Sequence, residues 1–219
     1  MNLYNRVPRL SFYRMYRFFI YAFFLFGCND VSCEPLNQDG GFMTTPEGHP
    51  YYWDSYIFPI PVHIDSSQPQ WLLDEIESGI QHWERITGKN LFTSIHIESG
   101  GLAVTGIPVR GVLGVTTSQL GNDRSGRNVN GQTELTVYSD RLGGREGRIY
   151  GGVIFFDLEM GRSKARSTVI HELGHALALA HDGNDDSIMF ISANSNPNAR
   201  VTDEDIERIR RMADGNTLN

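Results

Sequence analysis

Residues 171–181, HELGHALALAH, constrain this chain more than any other stretch, because they dictate where a helix must run and where it must break. His171 and His175 stand four apart, so on a helix both imidazoles leave the same face one turn apart, near enough to share a metal ion. Glu172 lies about 100° round from His171, where its side chain reaches a water on that metal without taking a ligand position. Were the helix straight, His181 would lie roughly 9 Å further along the axis than His175 and point away from the pair. For His181 to join them, the helix must stop at about Leu177 and the chain must turn sharply back. Three imidazole nitrogens that leave a fourth tetrahedral position open make a catalytic rather than a structural zinc site, and such donors favour zinc over calcium or magnesium. The candidate metal ligands are therefore His171, His175 and His181, with Glu172 as the catalytic base.

The rest of the sequence supplies elements for one domain around that helix. A chain of 219 residues, 40% of them hydrophobic and 21% charged, suits a single globular domain with its own core. Ile60, Val62 and Ile64 alternate as a half-buried strand would. After Pro69, a good first helical residue, Leu72, Leu73, Ile76, Ile80 and Trp83 recur at helical spacing and Gly88 supplies a stop, which predicts a long amphipathic helix. Residues 91–97, 112–116, 134–138 and 149–156 read as further strands between glycine-rich turns. A second helix is expected from Ser163 to about Leu177, with Val169, Ile170, Leu173 and Leu177 on one face, and a third from Thr202 to Met212 behind a Thr202/Asp205 pair resembling a capping box. The expected fold class is α+β: one twisted, mixed sheet of about five strands with a long N-terminal helix, an active-site helix and a C-terminal helix. The polar stretch 121–131 reads as a surface loop, with a calcium site as one further use of it.

Residues 1–27 read as an export signal: an apolar run, residues 18–27, follows the arginines Arg6, Arg9, Arg14 and Arg17 and is about half the ~20 residues of a spanning helix. A membrane anchor extended back to Leu10 would bury Arg14 and Arg17 in hydrocarbon. Leu25-Phe26-Gly27-Cys28 resembles the lipobox of bacterial lipoproteins, although Phe26 stands where a small residue is usual. Two outcomes fit: lipidation at Cys28 with a membrane tether, for which Asn29 favours the outer membrane, or ordinary cleavage and release. Either places the protein outside the cytoplasm, secreted or in the cell envelope. Residues 28–50, polar and rich in Gly and Pro, are expected to form a flexible linker, with the folded domain spanning residues 51–219. Cys28 and Cys33 are the only cysteines, so the domain holds no disulfide and no thiolate ligand.

Removing the four arginines of the export segment leaves 15 basic against 26 acidic residues, and no Lys/Arg patch follows it, which excludes a nucleic-acid partner. His49, His63, His82 and His96 show no ligand spacing and are assigned nothing. The chain is expected to act as a monomer.

The extended zinc sequence resembles that of the metzincin metallopeptidases, H-E-x-x-H-x-x-G-x-x-H followed by a methionine-bearing turn, here Ser187-Ile188-Met189-Phe190. HELGHALALAHD and DSIMF are most similar to the matrixin group, with the specific likeness covering residues 163–212. The resemblance implies a zinc endopeptidase that hydrolyses internal peptide bonds of protein or peptide substrates, with substrate extended along an edge strand around residues 131–138 and Met189 as a hydrophobic floor beneath the metal. Ala178 stands where the family has glycine, and is expected in the bridge region of φ/ψ space, which alanine tolerates. No histidine lies between His96 and His171, so the second, structural zinc frequent in matrixins is expected to be missing. The family's latency cysteine has no counterpart. Two other readings share the same zinc: a surface binding module in which the metal only braces the fold, and a hydrolase acting on a non-peptide bond.

Overall fold

A computed structural model describes residues 41–93, 95–98, 109–122, 128–138, 146–191 and 198–215. The export segment, both cysteines, residues 28–40 of the linker, residues 123–127 of the polar loop and most of residues 191–200 lie outside the described residues.

Five strands, β1 (Val62–Asp65), β2 (His96–Glu98), β3 (Leu113–Ser118), β4 (Gly131–Val137) and β5 (Ile149–Asp157), form one sheet in the order β2-β1-β3-β5-β4. The pairings β2/β1, β1/β3 and β3/β5 are parallel, and β4 joins the edge antiparallel to β5. α1 (Gln70–Thr87) is the crossover between the parallel neighbours β1 and β2, as parallel pairing requires. α2 (Arg162–Ala176) packs on α1 and on β4 and β5, and α3 (Asp203–Ala213) docks against α1. The layout is the α+β arrangement expected from the sequence.

Burial follows position in the sheet. Inner β5 is buried along most of its length, whereas edge strand β4 alternates, with Gly131, Thr133 and Leu135 facing in and Gln132 and Glu134 facing outward. Leu72, Ile76, Ile80 and Trp83 form the buried stripe of α1, and the Trp83 indole donates to Ile170 O at 3.0 Å, fixing α1 to α2. α1 starts one residue later than expected, since Pro69 has extended ψ and serves as the N-cap, and it ends at Gly88 in the left-handed region, φ 67°. The expected strand over 91–97 splits: Phe92 bridges Ile60 by itself and, among the described residues, only His96–Glu98 is a strand. In α3 the Thr202 hydroxyl accepts from Asp205 N–H at 3.1 Å, and Arg210 donates to the Thr87 and Ile86 carbonyls at the end of α1.

Two expectations need correction. α2 has no single apolar face: from Thr168 to Ala176 every residue is buried, because the helix lies between α1, the sheet and the segment carrying Met189. Residues 41–50 are not a loose spacer either. Gly41 O accepts from Ala180 N–H, Met43 N–H donates to Ala178 O, and Thr45, buried, closes a tight turn in which it is paired with His49. The linker reading failed there because backbone pairing, which leaves no apolar periodicity, holds this stretch.

Candidate active site

The active-site helix ends by a Schellman turn. Leu179 N–H bonds to Gly174 O at 3.0 Å and Ala178 N–H to His175 O at 2.8 Å, the pair of bonds that ends a helix when the residue after its cap turns left-handed. That residue is Ala178, with φ 70°. The expectation of a bridge-region alanine is thus corrected: the turn requires positive φ, which costs an alanine about 1–2 kcal/mol. The surroundings hold it there. All of the last four helix carbonyls are engaged, those of Leu173, Gly174 and His175 by the turn and that of Ala176 by the Trp53 indole at 2.8 Å.

This turn brings the three histidines together. His175 Nε2 lies 3.0 Å from His171 Nε2 and 3.2 Å from His181 Nε2, and all three donor atoms fit within 4.8 Å of one another. The Nδ1 atoms face the other way, that of His171 2.7 Å from Ile188 O and that of His175 2.8 Å from Leu179 O. A carbonyl can only accept, so each Nδ1 carries the hydrogen. Burial, then the neighbouring His181, pushes His171 down to about 3, and burial with both neighbouring imidazoles lowers His175 far below the usual range, so both rings are neutral. Their Nε2 atoms therefore present bare lone pairs to one point. Lone pairs about 3 Å apart repel unless a cation sits among them. Zinc–nitrogen bonds of about 2.0–2.1 Å at tetrahedral angles place ligand nitrogens about 3.4 Å apart, close to what the side chains present. The donor set fits zinc.

The segment Ser187–Phe190 runs beside this cluster, in contact with His171. Asp182 N–H donates to Met189 O at 3.0 Å, Ser187 Oγ accepts from Met189 N–H at 3.1 Å, and Ile188 O orients His171 as described above. Met189 is wholly buried against α2: a Cβ on Gly174 would come 2.4 Å from its sulfur, so only glycine lets the methionine seat there.

Glu172 is 3% exposed and turns toward β4. The Thr133 hydroxyl donates to Glu172 Oε2 at 2.6 Å, and a Cβ on Gly131 would lie 2.7 Å from Glu172 Cγ and 2.8 Å from Oε1. Burial raises the Glu172 carboxyl to about 7, with the Thr133 hydrogen bond pulling the other way. A carboxyl poised near neutrality can both take and return a proton.

Sequence reasoning missed four contributors: Gly131, Thr133, Trp53 and the segment 41–45. A glycine inside a strand pattern was the available signal for Gly131, since it marks close approach of another group. None of the remaining histidines joins the site. His63 and His96 pair edge to face across β1 and β2 at 5.3 Å, His82 contacts Arg85, and His49 lies 3.4 Å from Glu146.

Residues 61–213 match the family model described as Matrixin. No curated protein matches the chain.

Proposed function

The chain belongs to the matrixin family of zinc metallopeptidases, and on that premise we propose that it is an endopeptidase, with zinc held by His171, His175 and His181 and Glu172 as its general base. The observation that carries this reading is the convergence of three imidazoles, each presenting Nε2, two of them held neutral by burial, next to a buried carboxyl that titrates near neutrality.

When bound, zinc supplies Lewis acidity, which lowers the pKa of water toward neutrality and polarises a carbonyl. Glu172 accepts the proton of the attacking water and returns it to the leaving amine, so no covalent intermediate on the protein is needed. His171 and His175 hold their geometry through the Ile188 and Leu179 carbonyls, which fix the tautomer and ring plane of each. β4 is the sheet's antiparallel edge and packs on α2, so an extended peptide added along it would bring its backbone past Glu172. A peptide bound in this way would be cut at an internal bond, as the matrixin family implies. Export through residues 1–27, with either lipidation at Cys28 or release, belongs to the same proposal and rests on the N-terminal sequence.

Glu172→Gln tests it. The variant should bind one zinc per chain as the wild type does but lose cleavage of an unbiased peptide library. Zinc in both without cleavage by either would favour the surface binding module, and equal cleavage by both would remove Glu172 from the mechanism.

A further inference from the structure

The two ends of the metal-binding turn are held by a part of the chain that precedes the first strand. Residues 43–51 form a small hairpin in which Tyr51 N–H donates to Met43 O and Thr45 N–H to His49 O, both within 2.8 Å. On its outer arm Gly41 O accepts from Ala180 N–H at 2.7 Å and Met43 N–H donates to Ala178 O at 2.8 Å, with Phe42 bridged antiparallel to Leu179. On its inner arm Trp53, 1% exposed, donates its indole N–H to Ala176 O. One continuous stretch of chain thus grips residues 176, 178 and 180. Phe42 and Met43 pack against the core, so the grip is anchored by burial as well as by hydrogen bonds.

What it grips decides the ligand geometry. Leu179 O, midway between the two backbone contacts, is the acceptor that orients His175, and His181 follows Ala180 directly. Ala178, at φ 70°, is a residue that left alone prefers right-handed or extended backbone. A glycine in that place would need no outside support to hold the turn; an alanine does.

We propose that residues 41–43, together with Trp53, are positioning residues for the metal: a strap that holds the strained Ala178 turn so that His175 and His181 converge, and without which zinc is bound more weakly. The inference rests on the assignment of zinc to these histidines. It follows that metal affinity depends on chain N-terminal to the sheet, and that a cut in the exposed turn 46–49 would loosen the site from a distance.

The test uses the full chain with Met43→Pro, which deletes the amide donor to Ala178 O, and Trp53→Phe, which deletes the indole donor but keeps the ring. Zinc affinity is measured by competition with a chromophoric chelator, and the ligand set by the visible spectrum of the cobalt(II)-substituted protein. Met43→Pro should weaken zinc binding by about tenfold or more, as loss of groups that orient ligands commonly does, and alter the cobalt spectrum. Trp53→Phe, which keeps the protein foldable should proline disrupt it, should weaken binding in the same direction. Wild-type affinity and an unchanged cobalt spectrum in the folded variants would overturn the strap, even if thermal stability fell. Absence of zinc binding in the wild type would instead remove the assignment on which the strap rests.

Discussion

Gly131→Ala is the most local perturbation that separates Glu172 from the metal ligands. The added Cβ would stand 2.7 Å from Glu172 Cγ, 2.8 Å from its Oε1 and 2.8 Å from Thr168 Cγ2, where ordinary carbon contacts are about 3.5–4.0 Å. Something must yield by about 0.8 Å. The Glu172 side chain is the softest of the neighbours, but its Oε2 is tied to Thr133 at 2.6 Å, and β4 is held to β5 by the pairing of Gly131 with Phe156. The overpacking should cost about 1–3 kcal/mol of stability. A carboxylate displaced by nearly 1 Å from its working position should lower kcat by about 10–100-fold. Zinc content should stay at one per chain, since the atoms nearest the new methyl belong to Glu172 and Thr168 and not to the histidines. The assay is steady-state cleavage of a fluorogenic peptide, with zinc by atomic absorption and melting temperature as companions. A fall in kcat with KM nearly constant marks displacement of Glu172, and in a Glu172→Gln background Gly131→Ala should cause little additional loss. Wild-type kcat in a folded Gly131→Ala protein would refute the reasoning.

Three further outcomes are expected. Ala178→Gly relieves about 1–2 kcal/mol of left-handed strain but gives up one buried methyl and adds chain entropy, so urea unfolding of the metal-free protein should shift by no more than about 1 kcal/mol, whereas Ala178→Val should cost about 2 kcal/mol or more. Gly174→Ala drives a Cβ to within 2.4 Å of the Met189 sulfur and 3.1 Å of Trp83 Cζ2; the melting temperature should fall and zinc affinity with it, because the segment that orients His171 must move. Burial raises the Tyr51 phenol from 10.0 to about 12, so between those values the unfolded state has released a proton that the folded state keeps. The stability of the metal-free protein should therefore decline as pH rises through that window, and Tyr51→Phe should lose this component of the decline.

How much of this was legible in the sequence depends on whether the information was local. His171, Glu172 and His175 sit where helical spacing puts them, and the requirement that the chain turn back after Leu177 is met by the Schellman turn. Strands β1, β3, β4 and β5 announced themselves by alternation or apolar runs, and α1 by its stripe from Leu72 to Trp83. The conformation of Ala178 was hidden because alanine's own preference points the other way; backbone bonds from Gly41 and Met43, more than 130 residues distant, accompany it. The same bonds explain why residues 41–50 read as a spacer. Glycine, proline and polar side chains carry no periodic signal when the main chain does the pairing. Thr133 was invisible for a third reason: a threonine in a strand is ordinary, and only the sheet order, with β4 at the edge over α2, brings its hydroxyl to Glu172.

The central claim, that three histidines hold one catalytic zinc, is tested most directly by titrating zinc into the metal-free protein while following cleavage of an unbiased peptide library. Activity should rise from zero and break sharply at one zinc per chain, and the His181→Ala variant should show no such break. Cleavage without added metal, or none at saturating zinc, would contradict the account.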